Sequence, residues 1–346
     1  MTQAGLEKNQ EAPLVSSDPT LQEDARTLAS ILDEVAKVLV GQEPMCQSLL
    51  IGLLTGGHVL LEGLPGLAKT LAVKTLAQVL DAKFQRIQFT PDLLPTDLIG
   101  TMIYRQETGE FVPRKGPIFA NIILADEINR APAKVQSALL EAMAEKQVTI
   151  GETTFALEEP FLVLATQNPI EQEGTYPLPE AQLDRFMFKL RVPYPTREQE
   201  RLILDRMASQ HTPQTHAVFS SRGILEMREH LEKIYIDERV KEYILRLVMA
   251  TRQESELTAQ EAKLDKLQEI RRSLHIGASP RATIFLTRAS KAHALLEQRA
   301  YVTPDDVKAV APEILRHRLI LAFEAQARNI TSDTIISWLL DTITVP

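Results

Sequence analysis

The sequence predicts an α/β domain with a mostly parallel sheet, followed by an all-α domain. Between residues 59 and 192, short apolar runs alternate with segments of helical period, a pattern typical of parallel strands covered by helices on both faces. A glycine-rich turn joins the first apolar run to the helical segment after it. Beyond Pro195 the apolar residues follow a helical period and no convincing strand run remains, so the boundary is expected near Pro193 to Thr196.

Three parts are therefore expected along the chain. Residues 1–20 are polar and contain two prolines, which predicts a disordered tail. Residues 21–195 make up the α/β domain, and residues 196–346 make up the helical domain. Helices over 21–38 and 44–54 precede the first strand. The predicted strands are 59–61, 84–89, 122–125, 161–165 and 186–192.

Two short segments interrupt the alternation and predict β-hairpins. The first covers 102–112 with its turn near Thr108-Gly109, and the second covers 148–155 with Gly151-Glu152 at its tip. In the helical domain, Thr196 is expected to cap a helix, and Thr303 starts another with proline and two acids after it. Further helices are predicted over 240–248, 282–296, 304–315 and 333–340.

Composition excludes several classes of protein. The 346 residues are 44% hydrophobic, yet no apolar run approaches the roughly 18 residues of a membrane span, and no signal peptide is visible. A single cysteine, Cys46, excludes an intrachain disulfide framework and fits a reducing cytoplasm. The net charge of −8 does not suggest a dedicated nucleic-acid binder, although a local basic stripe can sit on an acidic protein.

The glycine-rich turn predicts a P-loop that binds ATP with Mg²⁺. Its residues are Gly63, Leu64, Pro65, Gly66, Leu67, Ala68, Lys69 and Thr70, with Leu71 opening the helical pattern. Backbone N–H groups at such a turn cradle phosphates; Lys69 would reach the β- and γ-phosphates, and Thr70 would hold the metal. Ala68 stands where glycine is usual, so we expect a negative φ there. The alternative is a glycine-containing loop that merely carries Lys-Thr.

Two carboxylates end the third predicted strand of the sheet. Asp126 can hold magnesium together with Thr70, and Glu127 can polarise the attacking water if the turn after the strand re-aims it. Ligands bind at this end of the strands in open α/β sheets. The alternative interpretation is an acidic helix start before Pro132.

Three further polar residues are candidates for phosphate chemistry. Asn168 follows the next strand and could contact the γ-phosphate or the water; otherwise it belongs to an Asn-Pro turn. Arg185 precedes the last strand and could act in a neighbouring subunit's site, or else form a surface ion pair with Asp184. Arg281 opens a helix, where a cation opposes the helix dipole, so an anionic partner is expected.

The order and wording of these motifs resemble an AAA+ ATPase, and the MoxR family in particular. The closest matches are Val40-Gly41-Gln42, the loop from Gly63 to Thr70, Ala125-Asp126-Glu127-Ile128-Asn129-Arg130-Ala131, Ala165-Thr166-Gln167-Asn168-Pro169 and Tyr176-Pro177-Leu178-Pro179-Glu180-Ala181-Gln182-Leu183-Asp184-Arg185-Phe186. The likeness extends from about Leu28 to the end. It implies a P-loop AAA+ core followed by an all-α lid, and alanine before the Walker A lysine is familiar in this family.

The resemblance also implies roles for single residues. Val40, Gly41 and Gln42 would lie near the adenine. Lys69 and Thr70 would be Walker A, and Asp126 and Glu127 Walker B. Asn168 would be sensor 1, Arg185 a trans arginine finger and Arg281 sensor 2. Arg130 would face a neighbouring subunit, and the hairpins resemble the helix-2 and pre-sensor-1 inserts, which face the ring pore or a partner.

The function implied is ATP hydrolysis by a homo-oligomeric ring, a hexamer, which remodels or matures other proteins. Family members often work with a von Willebrand factor A domain protein, and their targets include metalloenzymes that need cofactor insertion. One rival is a DNA motor of the same clade, disfavoured because the predicted hairpins carry only Arg105 as a basic residue. Another is a scaffold that binds nucleotide without turnover, against which intact Glu127 and Arg185 argue.

Overall fold

The computed structural model describes residues 18–64, 66–168, 174–207, 213–252 and 264–346. Residues 1–17 of the predicted tail lie outside the described residues. The first helix begins at Pro19, two residues before the predicted start of the α/β domain, because Asp18 caps it by accepting a hydrogen bond from the Thr20 N–H at 2.9 Å.

The described residues form eleven strands, of which the five in the largest sheet fall where the apolar runs predict them. The eleven are β1 (Val59–Glu62), β2 (Phe84–Gln88), β3 (Gly100–Arg105), β4 (Glu110–Lys115), β5 (Ile122–Asp126), β6 (Gln147–Ile150), β7 (Thr153–Ala156), β8 (Leu162–Gln167), β9 (Phe188–Arg191), β10 (Leu274–Ile276) and β11 (Ile320–Leu321). Five of them form one parallel sheet in the order β2-β5-β8-β1-β9. The residues of β5 from Ile122 to Ala125 are fully buried, as expected of a central parallel strand covered on both faces.

Helices cover both faces of the sheet and build the rest of the chain. They are α1 (Pro19–Ala36), α2 (Glu43–Thr55), α3 (Lys69–Val79), α4 (Pro95–Ile99), α5 (Ala133–Glu145), α6 (Glu180–Leu183), α7 (Arg197–Met207), α8 (Gly223–His230), α9 (Glu238–Ala250), α10 (Leu264–Arg272), α11 (Pro280–Leu296), α12 (Pro304–Leu315), α13 (Phe323–Ala327) and α14 (Ser332–Thr342). The predicted cap of α12 is present, with Asp306 closing a capping box on Thr303. Among the described helices, none is both long and apolar enough to cross a membrane.

The expectation that no strand follows residue 196 is wrong. β10 and β11 form a small antiparallel ladder inside the helical region. The two strands have three and two residues, which is too short for an alternating pattern to be visible in a sequence.

The apolar core is continuous across the predicted domain boundary. One cluster joins Leu28 of α1 and Leu76 of α3 to Leu286 of α11 and Ile336 of α14. A second cluster lies on the other face of the sheet beneath α5. Cys46 is a buried member of the first cluster, and burial raises the pKa of its thiol to about 12, so it acts as a packing residue.

Both predicted hairpins are present, and the first is longer than the sequence suggests. β3 and β4 pair from Gly100 with Lys115 to Arg105 with Glu110, and β6 pairs with β7 around Gly151. The expectation that the first hairpin carries only Arg105 is therefore wrong, because Arg114 and Lys115 belong to β4. Pro113 and the two cations after it are weak strand formers, so the sequence pattern of the first hairpin ended at residue 112 although β4 continues to Lys115.

Candidate functional site

Four strand ends meet at the carboxyl edge of the parallel sheet. Gln88 of β2 lies in register with Asp126 of β5, and Glu62 of β1 lies in register with Gln167 of β8. The glycine-rich turn leaves β1 at this edge and enters α3 at Lys69. Loops at the carboxyl ends of parallel strands are where ligands bind in such sheets.

The turn itself adopts a left-handed conformation at two positions. Gly66 has a φ of 83°, and Ala68, the residue before α3, has a φ of 56°. The expected negative φ at Ala68 is therefore wrong. In a turn where left-handed and right-handed residues alternate, successive backbone N–H groups point toward one place. This N–H arrangement requires a left-handed residue at Ala68, and the requirement outweighs the steric cost of the alanine methyl group. Pro65 lies outside the described residues.

A cleft of about 420 Å³ opens between this turn and the strand ends. The residues that line it are Gly66, Leu67, Ala68, Lys69, Thr70, Leu71, Arg86, Gln88, Asp126, Glu127, Thr166 and Asn168. The volume is within the range of small-molecule sites. The structure thus brings together the predicted lysine, threonine, both carboxylates and the asparagine, which lie on α3 and at the ends of β5 and β8.

Thr166 holds the carboxylate of Asp126 and the backbone of Glu127 at the end of β5. Its hydroxyl donates to Asp126 Oδ1 at 2.6 Å and accepts from the Glu127 N–H at 2.9 Å. Glu127 adopts a left-handed conformation, with φ 57° and ψ 50°, directly after the strand. This turn re-aims the second carboxylate into the same cleft as the first, where an extended strand would send it to the opposite face.

Arg86 and Gln88, which sequence reasoning missed, engage these same carboxylates. Arg86 donates to Asp126 Oδ2 from Nε at 3.0 Å and from Nη2 at 2.5 Å, and Gln88 donates to Glu127 Oε2 at 2.8 Å. The two residues lie two positions apart on β2, so they share a face of the sheet's edge strand. The sequence did hold one signal for them: two polar residues, spaced two apart, lie on the strand of the main sheet that precedes the Asp126-Glu127 strand along the chain.

Lys69 points back across the turn. Its Nζ donates to the carbonyl oxygen of Gly63 at 2.6 Å. Burial lowers the pKa of Lys69, and the nearby carboxylates of Asp126 and Glu127 oppose that shift. The lysine is thus a half-buried cation within the field of both acids.

The donor set of the cleft fits magnesium with a nucleotide. Thr70 and Asp126 offer a hydroxyl and a carboxylate, the hard oxygen ligands that Mg²⁺ prefers, and the ion usually takes its remaining ligands from phosphates and water. Within the described part of the chain, no group of three or more histidine, cysteine or acidic residues is arranged to hold a metal by itself. Because Thr70 and Asp126 supply only oxygen ligands, the cleft suits a metal that takes further oxygens from phosphate.

Other predicted site residues lie away from the lining of this cleft. The Arg185 guanidinium donates to the Leu140 carbonyl on α5 at 2.7 Å. Gly41 and buried Gln42 lie at the junction of α1 and α2, where Gly41 has a φ of 72° and a side chain would collide with Gln199 of α7. Val40 precedes them in the same loop.

Comparisons with known proteins agree with this geometry. A family model for the ATPase family associated with various cellular activities matches residues 58–188, and one for an AAA lid domain matches 267–338. The chain is 48% identical over 326 residues to the chaperone MoxR1 of Mycobacterium tuberculosis, covering 94% of this chain and 84% of that protein. It is 32% identical over 325 residues to the MoxR protein of Paracoccus denitrificans, covering 89% and 93%.

The chain belongs to the MoxR family of AAA+ ATPases. A crystal structure of a candidate ATPase from Cytophaga hutchinsonii is 51% identical and superposes with a TM-score of 0.87, covering 94% of this chain and 97% of that one. The predicted fold class is confirmed as well, because the α/β part and the helical lid each match their own model.

In this MoxR-family chain the two matched regions meet at Asp184. Its carboxylate accepts hydrogen bonds from the Ser279 hydroxyl at 3.0 Å and from Arg318 Nε at 2.9 Å, and it lies 3.4 Å from Arg281 Nη1. The alternative expectation, an ion pair of Arg185 with Asp184, is therefore not what the structure shows: Asp184 pairs with Arg281 and Arg318, and Arg185 donates to the Leu140 carbonyl of α5.

Proposed function

We propose that this MoxR-family chain hydrolyses ATP and uses the energy to remodel or mature other proteins, as a chaperone does. The observation that carries the proposal is the convergence of Lys69, Thr70, Asp126 and Glu127 in one cleft at the carboxyl edge of the sheet. A relative of 48% identity is named a chaperone, which supports the second half of the proposal.

The chemistry assigned to each residue follows from its position. The turn's N–H groups and Lys69 bind the phosphates, while Thr70 and Asp126 hold the metal. Mg²⁺, when bound, would neutralise charge on the β- and γ-phosphates. Glu127 orients the attacking water and accepts its proton, and Asn168, which is 8% exposed in the same cleft, contacts the γ-phosphate or that water.

A second part of the proposal is that the catalytic site is shared between subunits. Arg185 lies on the loop before β9 and outside the residues that line the cleft, so its guanidinium serves a neighbouring copy's ATP. We assign Arg281 to the lid's contact with the γ-phosphate, Arg130 to a subunit contact, and Val40, Gly41 and Gln42 to the adenine. The assembly proposed is a homo-oligomeric ring, a hexamer.

Partners and clients are the finest part of the proposal. We infer a von Willebrand factor A domain protein as partner, and metalloenzymes that need cofactor insertion as one class of client. The single cysteine, which is buried, is consistent with a cytoplasmic setting. The inferences about the partner and the clients rest on family resemblance. We offer the two hairpins as the surfaces that contact them.

Two alternative functions can be tested with the same purified protein. A DNA motor gains some support from Arg114 and Lys115 in β4, which the sequence pattern had left out of the hairpin. A scaffold that binds nucleotide without turnover would keep the cleft but show no hydrolysis. Salt-dependent DNA binding or unwinding would favour the first, and undetectable hydrolysis at assembled concentrations would favour the second.

The experiment is a Glu127→Gln substitution, with Lys69→Ala as its control. Glu127→Gln should lower the rate of ATP hydrolysis by about 100-fold or more while nucleotide binding persists, because only the water's base is lost. Lys69→Ala should weaken binding itself. Assembly size and co-purifying proteins are then compared with and without ATP. If ATP changes neither in the Glu127→Gln protein, the remodelling proposal fails.

A further inference from the structure

A buried side-chain amide joins two segments of the α/β region. Gln136 of α5 is 1% exposed, and its Nε2 lies 3.2 Å from the Ile128 carbonyl oxygen, 3.1 Å from that of Ala131 and 2.8 Å from that of Tyr176. Three acceptors converge on one atom, which is therefore the amide nitrogen and not the amide oxygen. The two N–H bonds of Gln136 are shared among the three carbonyl groups.

Two of these carbonyl groups belong to the turn that follows β5. We call residues 127–131 the Glu127 turn. Within it the Arg130 N–H donates to the Glu127 carbonyl at 2.9 Å, and Arg130 Nε lies 3.1 Å from Glu127 Oε2. Ile128 and Ala131 are fully buried. Gln136 therefore holds the backbone that carries both the Glu127 carboxylate and its arginine partner.

The third carbonyl group belongs to a different part of the chain. The Tyr176 N–H donates to the Asn129 carbonyl at 2.6 Å, and the Tyr176 carbonyl accepts from Gln136. Both backbone polar groups of Tyr176 are thus engaged. One is bound by the Glu127 turn directly, and the other by the amide that also holds that turn.

From Tyr176 the chain runs through α6 to Arg185, and we call residues 176–185 the Arg185 segment. The Arg185 guanidinium donates to the Leu140 carbonyl at 2.7 Å. Leu140 lies four residues after Gln136, so the two contacts are made on adjacent turns of α5. Helix α5 therefore holds the Arg185 segment near each end, and at the first end the same side chain holds the Glu127 turn.

The chemistry of these bonds fixes the geometry of the junction. A hydrogen bond weakens steeply when its distance and angle are lost, and a buried carbonyl group that loses its donor pays the full cost of its desolvation. An apolar side chain of the same size would fill the space, but the turn and the segment could then shift separately. With the amide present, the relative position of the turn and the segment depends on one residue.

We propose that Gln136 is a positioning residue for ATP hydrolysis, which holds the Glu127 turn of one ATP site and the Arg185 segment that serves the neighbouring copy's site in one arrangement. This rests on the proposed function and adds how the two halves of a shared site are held in a fixed relation within each subunit. After hydrolysis, neither half changes its position without the other.

The first variant is Gln136→Met, which keeps the length and approximate volume of the side chain and removes its donors. The kcat for ATP hydrolysis should fall at least about thirtyfold, while ATP affinity and assembly size stay close to those of wild type, because Lys69 and the turn before it are untouched. A loss of ATP affinity as large as the loss of kcat would show a general packing role and overturn the proposal.

The matched control is Asn121→Leu. Asn121 is a buried amide at the opposite edge of the sheet, where it joins the Lys83 N–H to the Pro160 carbonyl. Its replacement should lower the free energy of unfolding, as Gln136→Met does, and should leave kcat within about twofold of wild type. If both variants lose kcat equally, the effect follows from stability and the proposal fails.

Mixed assemblies decide whether Gln136 serves both sites. Lys69→Ala subunits offer an intact Arg185 but no working ATP site, and Arg185→Ala subunits offer an intact ATP site without the finger. Mixing these two with each other should restore hydrolysis. Neither should restore Gln136→Met, because that variant displaces Glu127 in its own site and Arg185 in the neighbour's.

The two possible rescues have distinct meanings. Hydrolysis restored by Arg185→Ala would show that the finger of Gln136→Met is intact, and hydrolysis restored by Lys69→Ala would show that its acid is intact. Either result overturns the proposal, because Gln136 would then serve one half of the site alone.

A second variant breaks the junction from the other side and decides the question if Gln136→Met does not fold. Tyr176→Pro removes the N–H that donates to Asn129 and leaves Gln136 in place. Tyr176 is 46% exposed and precedes Pro177, which favours an extended backbone that proline also accepts. The same loss of kcat and the same lack of rescue are expected. Wild-type kcat in either folded variant overturns the proposal.

The parent proteins separate this proposal from the proposed function. If wild type hydrolyses ATP and Lys69→Ala and Arg185→Ala restore each other, but Gln136→Met keeps its kcat or is restored by one partner, the Gln136 proposal fails alone. If Lys69→Ala and Arg185→Ala do not restore each other, the shared site fails and the role of Gln136 with it. If wild type shows no hydrolysis, the proposed function itself fails.

Discussion

Arg318 of the helical region reaches Asp184 at the edge of the α/β region, with its Nε 2.9 Å from the carboxylate Oδ1. The Arg318 side chain is 1% exposed and also donates to the carbonyl oxygens of Asp184, Phe186 and Met187. Burial lowers the pKa of the guanidinium to about 10, and Asp184 opposes the shift. One buried cation therefore ties the loop before β9 to the lid.

Replacing Asp184 by asparagine should lower the free energy of unfolding by about 3 kcal/mol, because it leaves the buried guanidinium without its counter-charge. Urea unfolding at pH 7 measures this. Asp305→Asn is the matched control: Asp305 is 88% exposed and pairs with Lys308 at 3.5 Å, so its loss should cost less than about 1 kcal/mol. Equal costs for the two variants would contradict a special role for the buried pair.

Replacing Arg185 by alanine should lower the rate of ATP hydrolysis by about 1,000-fold and leave nucleotide affinity nearly unchanged, because the guanidinium acts on a neighbour's transition state. Hydrolysis is measured at a protein concentration where the assembly is complete. Mixing this variant with Lys69→Ala should restore activity, since each supplies what the other lacks. If no mixing ratio restores any activity, the trans position of Arg185 loses its support.

Replacing Ala68 by glycine should raise the free energy of unfolding by about 0.5–1 kcal/mol, because a left-handed φ costs alanine more than the extra freedom of glycine costs in the unfolded chain. ATP affinity should be retained. Ala138→Gly in α5 is the control and should destabilise by about 1 kcal/mol. Parallel urea titrations compare them; a loss of stability for Ala68→Gly would refute the strain.

Arg86→Gln should lower the free Mg²⁺ concentration needed for half-maximal hydrolysis by about threefold, because the guanidinium competes with the metal for Asp126 through a half-exposed ion pair worth under about 1 kcal/mol. Activity is titrated against Mg²⁺ at fixed ATP. Lys83→Gln, which removes a cation bonded to the Phe119 carbonyl, is the control and should leave the midpoint in place. A midpoint that rises in Arg86→Gln would show that the arginine assists metal binding.

Acid should destabilise the chain between about pH 6.5 and pH 4 through buried His58. Burial lowers its pKa to about 4, while its Nδ1 accepts from the Val163 N–H. The unfolded chain binds a proton at about pH 6.5, so stability is intact above that pH and falls by about 3 kcal/mol as pH drops to 4. Burial also lowers the pKa of His317, which adds a loss of the same sign.

Thermal unfolding across this pH range measures the loss. His58→Asn keeps an acceptor for the Val163 N–H and cannot titrate, so its stability should depend less steeply on pH than that of wild type, even if it is lower at pH 7. Identical slopes for both proteins would show that His58 does not carry the effect.

The sequence predicted the sheet because the strands around Val59, Ile122 and Leu162 are buried on both faces and so read as continuous apolar runs. It predicted the cleft because parallel strands bring their carboxyl ends to one edge, where Asp126 and Thr70 then meet. These features follow from patterns that extend over many residues.

What the sequence did not reveal depends on local geometry. Arg86 and Gln88 occupy an edge strand, where alternating polar residues are ordinary, so only the register with β5 exposes their role. Closure of the turn imposes a positive φ on Ala68, although residues with a Cβ prefer a negative φ. The roles of Asn168, Arg185 and Arg281 stay predictions, because they depend on a nucleotide and a neighbouring subunit.

The shared apolar core determines how a chain of this family can be recombined. Helix α11 of the lid packs on α2, and both contribute buried residues to one cluster. Exchanging the lid with that of a relative would set two unmatched apolar surfaces against each other, with the cavities and overlaps that core mismatch brings. A functional chimera therefore needs the facing residues of α2 and α11 to be transferred as a pair.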